Sequence, residues 1–222
     1  MSTTSAPRWD LDTKENYDHY MECRCKTVIE RLKNDKIERQ QLYADPRSIH
    51  RELHVDLTPI GYSDYAGTYR GTIGSSVEHK KAYSKSDIPG NNEYEFTLPE
   101  NVAAEMATFA TETRELIDAV MGGPYDQKIT VCAMIFVSFG SIHPFLDGNG
   151  HVQRLMFECI AYDFAIPLGA HWRIHPRPYS ALFGVALEFN QKFGLDTINL
   201  ITEYLNLFTL ERNDFLLPKR SQ

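Results

Sequence analysis

Residues 129–142, "ITVCAMIFVSFGSI", carry no charged side chain and are apolar on every face of a helix. Such a helix has no side to turn toward water, so it must run through the middle of a fold with other elements packed around it. It is too short to cross a bilayer, which takes about 20 apolar residues. The run stops at His143-Pro144, because a proline disfavours the helical conformation in the residue before it. A polar loop follows at once, "FLDGNGHVQRL". One central helix delivering a histidine to a glycine-rich turn is the constraint the rest of the chain has to satisfy.

The surroundings are helical too. Within residues 12–43, Tyr17, Tyr20, Val28, Ile29 and Leu32 recur at helical spacing among many charges, which predicts an amphipathic helix or a helix pair. A further helix starts near Pro46. The first seven or eight residues are small, polar and close on Pro7, the composition of a loose tail. From Tyr62 to Pro99 the texture changes to Gly, Ser, Tyr and Asn with short β-prone patches, which predicts a β-hairpin or loop region; long irregular stretches in compact domains are usually functional. After Pro99 come a polar helix, the central apolar helix, a helix beyond the loop that ends before Pro167, and a last helix from Leu195 on the outside. The expected fold class is mainly α, a helical bundle with one small β element.

With 222 residues the chain can build one substantial core. Its net charge of −7 and lack of a Lys/Arg block argue against nucleic acid as a partner. No basic start with an apolar run opens the sequence, and no membrane span is expected. A cytoplasmic protein follows, and delivery into another cell by a secretion system would leave the reading unchanged. The four cysteines lack paired CxxC spacing, so they read as buried reduced thiols rather than a zinc site.

The loop after the central helix has the parts to handle phosphate. Gly148 and Gly150 permit backbone angles that other residues resist, and Asn149 tolerates them. Successive N–H groups can turn inward as an anion nest at the positive end of the next helix. Arg154 lies one turn into that helix, and Asp147 stands at the lip, where an acid beside phosphate can hold Mg²⁺. His143 offers a base near neutrality. A calcium loop fails in both frames: with Asp147 first, the sixth position is Val152 instead of glycine, and with Gly150 sixth, the first is Phe145.

"HPFLDGNGHVQR" resembles the signature of the Fic family, His-Pro-Phe-x-Asp/Glu-Gly-Asn-Gly-Arg-x-x-Arg, and agrees at every fixed position except His151, where the family has arginine. "IHRELHVDLTPIGYSDYAGTYRGT" is similar to the family stretch that ends Ala-Gly-x-Tyr-Arg and leads into a flap, and "RPYSALFGVALEF" to its Tyr-containing helix near the nucleotide base. The resemblance implies a Fic domain over residues 45–205, with an N-terminal tail and helical extension at 1–44 and a helix end and tail at 206–222. It implies a nucleotidyltransferase that moves AMP from ATP onto a Tyr, Thr or Ser hydroxyl of a target protein. His143 would be the base, Phe145 a buried anchor, and Asp147 the Mg²⁺ ligand. Gly148, Asn149 and Gly150, with the Asn149 side chain, would form the anion hole, and His151 and Arg154 would hold the phosphates. Ser75, Ser76 and Tyr179 would complete the nucleotide site. A hairpin around Ile73 to Glu78 would bind the target as an added strand.

His151 is shorter than arginine and only partly charged near neutral pH, so the expectation is a weaker grip on the β- and γ-phosphates, another donor nucleotide, or a domain that binds without turnover. No Ser/Thr-x-x-x-Glu-Gly/Asn inhibitory segment is found, which implies either a separate inhibitor protein, as in toxin-like members, or an unrestrained effector. A kinase-like branch carries lysine in place of the second motif glycine, and Gly150 argues against it. "HRELH", with His50 and His54 at i, i+4, has its glutamate misplaced for a zinc protease and reads as a solvated helix face. No Gly-x-Ser-x-Gly elbow supports a serine hydrolase. His171 and His175 have two readings, the rim of the pocket or a solvent-facing loop, and the second is favoured.

Overall fold

The computed structural model describes residues 7, 9, 11, 15–84, 94–178 and 196–209. Among them are seven α-helices and one two-stranded sheet. The N-terminal charged segment is a helix pair, α1 (Tyr17–Asn34) and α2 (Lys36–Ala44). Asp35 makes the break, its carboxylate accepting from the Ile37 and Glu38 N–H groups at 2.8 and 3.1 Å to cap α2. α3 (Arg47–His54) starts directly after Pro46.

The predicted hairpin at Ile73 to Glu78 is instead a run of turns. Its hydroxyls bond to nearby backbone, Thr72 to the Tyr69 carbonyl at 2.8 Å and Ser75 to the Thr72 carbonyl at 2.7 Å. Such local bonds compete with a strand ladder. The antiparallel pair lies further on, β1 (Tyr83–Ser84) and β2 (Tyr94–Glu95), with Tyr83 opposite Glu95 and Ser84 opposite Tyr94.

Four helices follow. α4 (Pro99–Val120) opens on its proline, where a missing N–H costs nothing. α5 (Tyr125–Ile142) is the apolar run, and it packs against α4, α6 (Asn149–Asp163) and α7 (Thr197–Asn206). It buries Ile129, Ile135, Phe136, Phe139 and Ile142. α7, expected on the outside, lays Ile201, Tyr204 and Leu205 into the core beside it.

The extension ahead of residue 45 packs into the same core. α1 lies on α6 and α3, with Met21, Val28 and Leu32 buried. Arg39 pairs with Asp163 at 2.7 Å and ties α2 to the end of α6. Trp9 is buried as well, its indole N–H donating to the Leu57 carbonyl at 3.1 Å, and Tyr65 donates to the Pro7 carbonyl at 2.9 Å. The remainder of the expected tail, residues 1–6 and 8, lies outside the described residues. Cys25, Cys132 and Cys159 are buried and reduced as expected, whereas Cys23 is exposed. No helix among the described residues is long and apolar enough to cross a membrane.

Candidate active site

α5 ends where proline requires it to. His143 is its C-cap, with φ 51° and ψ 58°, a left-handed conformation that costs an ordinary residue about 1–2 kcal/mol. Strain of that kind persists only where the surroundings hold it. The holder is Arg70, fully buried and bonded through its guanidinium to backbone carbonyls. Its Nε donates to the His143 carbonyl at 2.8 Å, and its terminal nitrogens reach the carbonyls of Thr97, Ile142 and Lys80 at 2.9, 3.0 and 3.2 Å. Burial pushes the Arg70 guanidinium down to about 10, so it stays charged at neutral pH.

The His143 ring stacks on Phe96, the residue after β2, with centroids 4.0 Å apart and planes 18° apart. One ring nitrogen bonds to the Gly140 carbonyl, which leaves the other without that proton. Burial first, and Arg70 second, push His143 down to about 3. It is therefore an uncharged imidazole at neutral pH, titrating well below the range near neutrality that the sequence suggested.

The loop itself is braced from within. Asn149 was expected to offer its side chain to an anion, but both ends are used on Phe145. Its Oδ1 accepts from the Phe145 N–H and its Nδ2 donates to the Phe145 carbonyl, each at 2.9 Å. Phe145 is buried as expected and lies flat on His50 at 3.7 Å. Gly148 has φ 75°, and a Cβ there would stand 2.6 Å from Cε1 of His54. Gly150 is helical, and its missing Cβ leaves room for Nη1 of Arg154, which would be 2.9 Å away. The Gly148 N–H, at the start of the nest, donates to Oδ1 of Asp147 at 2.6 Å.

Asp147, Gly148, Gly150, His151 and Arg154 line one cavity of about 440 Å³ with Leu11, Tyr17, Asp18 and the 175–177 turn. Arg154 is only 9% exposed, and its Nε donates to the Ile174 carbonyl at 2.6 Å. Burial, reinforced by Arg177, pushes it down to about 10, still a cation. His143 is not among the lining residues. Ser75 and Ser76 lie outside the cavity too, the Ser76 N–H donating to Asp64 at 2.7 Å. Tyr179 falls outside the described residues. A larger groove of about 650 Å³, between α2 and α4, shares no lining residue with this one.

Three histidines read as solvent-facing are buried beside the loop. His50 and His54 are fully buried and His175 is 9% exposed, while His171 is exposed as expected. His50 accepts from the Gly67 N–H through Nδ1 and donates from Nε2 to the Asp147 carbonyl, both at 2.8 Å. His54 touches His151 at 3.4 Å, and His151 touches His175 at 3.1 Å. Desolvation holds His50 and His151 well below the usual imidazole range, and pushes His54 down to about 4. His151 is thus neutral, not partly charged. The i, i+4 spacing of His50 and His54 was the available signal; it marked one buried face. Among the described residues no group of three or more His, Cys, Asp or Glu could hold a metal by itself.

A sequence model of the Fic/DOC family matches residues 43–161, which contain α3, the loop and nearly all of α6. A Fido domain-containing protein of Dictyostelium discoideum is 26% identical over 111 residues, 50% of this chain and 74% of the relative. Two solved structures share the fold. The N-terminal Fic domain of a putative cell filamentation protein, a VirB-translocated Bep effector of Bartonella quintana, superposes with a TM-score of 0.55 at 14% identity, covering 97% of this chain and 96% of that one. BepC, a VirB-translocated effector of Bartonella tribocorum crystallised with AMPPNP, gives 0.52 at 15% identity, covering 83% and 86%. Since the matched span takes in more than half of the 222 residues and includes the loop between α5 and α6, the chain belongs to the Fic/DOC family.

Proposed function

We propose that the chain is a protein adenylyltransferase that moves AMP from ATP to a Tyr, Thr or Ser hydroxyl of a target protein. The observation that carries this reading is Arg154, a buried cation closing on Gly150 at the N-terminus of α6, in a cavity it shares with Asp147. A helix N-terminus and an arginine facing one space make a site for a polyanion. Family membership and the AMPPNP bound to BepC support a nucleoside triphosphate as that polyanion.

In this reading the target hydroxyl oxygen attacks the α-phosphorus. The new O–P bond forms as the bond to the α–β bridging oxygen breaks, pyrophosphate leaves, and the hydroxyl proton passes to the bare nitrogen of His143. The backbone at the start of α6 faces the α-phosphate, and Arg154 takes charge on the departing phosphates. A cavity-lining carboxylate suits Mg²⁺, which binds one or two carboxylates and completes its shell with phosphate and water. Asp147 would hold it, and the ion would neutralise phosphate charge. A target segment would pair with the edge of the β1–β2 hairpin as an extended chain, displacing Phe96 from His143 as it arrives. Control by a separate inhibitor protein whose carboxylate reaches Arg154 belongs to the same reading, and co-purification would detect it.

The test is to incubate the protein with each labelled nucleoside triphosphate, Mg²⁺ and a cell lysate, beside His143→Ala. Label from ATP that needs His143 supports the reading, and label from another nucleotide reassigns the donor. Phe96 lying over His143 favours a second reading, a domain that binds nucleotide without turnover. Under that reading neither protein labels anything, itself included.

A further inference from the structure

The histidines beside the loop form a chain whose proton positions follow from its fixed end. Nδ1 of His54 lies 2.9 Å from the His50 carbonyl, and a carbonyl only accepts, so the hydrogen is on Nδ1. His54 is neutral, which leaves Nε2 bare. That nitrogen, 3.4 Å from Nδ1 of His151, can only accept, so His151 also carries its hydrogen on Nδ1. Nε2 of His151 is bare in turn and accepts from Nδ1 of His175 at 3.1 Å. His175 has then spent its one neutral-state hydrogen. Its Nε2 points at Oδ1 of Asp18, 3.1 Å away, and a carboxylate only accepts. The chain can be complete only if His175 takes a second proton.

We propose that His175 contacts the phosphate chain of the donor nucleotide and supplies the second cation of the site, with Asp18 occupying the place of that phosphate while the site is empty. This rests on the nucleotide-binding reading above and names a phosphate ligand for it. His175 and Asp18 line the cavity with Gly148, Gly150 and Arg154. The Asp18 side chain is 86% exposed, so it can leave without a burial penalty, whereas the His175 side chain is 7% exposed and fixed. His151 has both nitrogens spent on His54 and His175, so its ring brings no charge to the cavity, and His175 is the next ring along the chain that can.

The groups facing His175 set its charge. From α1 come Asp18, Glu22 and the Tyr17 ring, edge-on at 5.4 Å; from α6 come His151 and Arg154; Arg177 follows in its own turn. Desolvation outweighs the carboxylates and holds His175 below the ordinary imidazole range in the free protein. Polyphosphate brings more negative charge than Asp18, so binding draws a proton onto Nε2. Affinity therefore rises as pH falls.

The experiment is calorimetric titration of the full chain with AMPPNP and Mg²⁺ from pH 8 to pH 6, in buffers of different ionisation enthalpy. The wild-type protein is expected to bind more tightly toward pH 6 and to take up roughly one proton per site near pH 7.5. His175→Gln should weaken binding about tenfold or more at pH 6 and abolish the uptake. Asp18→Asn, at an exposed position that leaves the fold alone, should bind more tightly than wild type at pH 6, since a competitor for His175 is gone. Unchanged binding and unchanged uptake in His175→Gln, or unchanged or weaker binding by Asp18→Asn at pH 6, would overturn the role of His175 while nucleotide binding itself stands. Absence of any nucleotide binding by wild type would overturn both.

Discussion

Phe96 and His143 lie face to face, 4.0 Å between ring centroids, so the residue after β2 covers one face of the imidazole proposed as the base. Removing Phe96 admits water to the imidazole. In Phe96→Ala, His143 should titrate well above about 3, moving toward the ordinary value near 6.5. Histidine ring NMR shifts followed against pH would measure this, and an unmoved titration would contradict the burial account.

Arg70 should be irreplaceable by another cation. Its guanidinium serves four carbonyls in three segments, and a lysine has one nitrogen with three hydrogens. Arg70→Lys should lose at least about 2 kcal/mol of unfolding free energy, since each orphaned carbonyl costs about 1–3 kcal/mol. Protein labelling should fall with it, because the left-handed turn at His143 loses its tether. Urea melts and the labelling assay read the two effects separately.

Gly148→Ala combines a left-handed φ of 75° with a methyl 2.6 Å from the His54 ring. His54 cannot step aside without breaking its bond to the His50 carbonyl. We expect a loss of at least about 2 kcal/mol in stability. Nucleotide affinity should drop as the loop and the histidine behind it separate, which calorimetry would record.

Stability should fall on mild acidification. His50, His54, His143 and His151 all have depressed folded-state values, to about 4 for His54 and about 3 for His143. The unfolded chain takes up these protons near 6.5 while the folded chain does not, so stability is full above that pH and is lost as pH falls toward 4. Each such histidine contributes a slope of about 1.4 kcal/mol per pH unit within the window. Urea unfolding at pH 7, 6 and 5 would trace the decline, and a flat profile would mean that these rings are hydrated.

What the sequence made legible was local. Ile129 to Ile142 dictated a central helix by having no polar face, and Pro144, Gly148 and Pro46 each act within a residue or two of themselves. Asp147, Gly150 and Arg154 follow one another at spacings of three and four residues, about a turn each, so a helix start there brings them to one cavity. Contacts closed over long separations were not legible. His54 and His175 lie 97 and 24 residues from His151 along the chain, and only the i, i+4 spacing of His50 and His54 hinted at a shared buried face. The Asn149 amide was misplaced because the same side chain can brace a loop or bind an anion, and only the position of Phe145 decides. The hairpin was misplaced because Tyr and Thr favour strands, while the Thr72 and Ser75 hydroxyls found carbonyls three residues back.

Trp9 has a consequence for anyone preparing this protein. Its indole stands edge-on to both His50 and His54, 6.1 and 6.2 Å away, from a point well ahead of the span that family likeness recognises. An expression fragment trimmed to that span would discard a wall of its own pocket and wet two imidazoles that the intact chain keeps dry. Kinetic constants gathered on such a fragment would describe a different cavity.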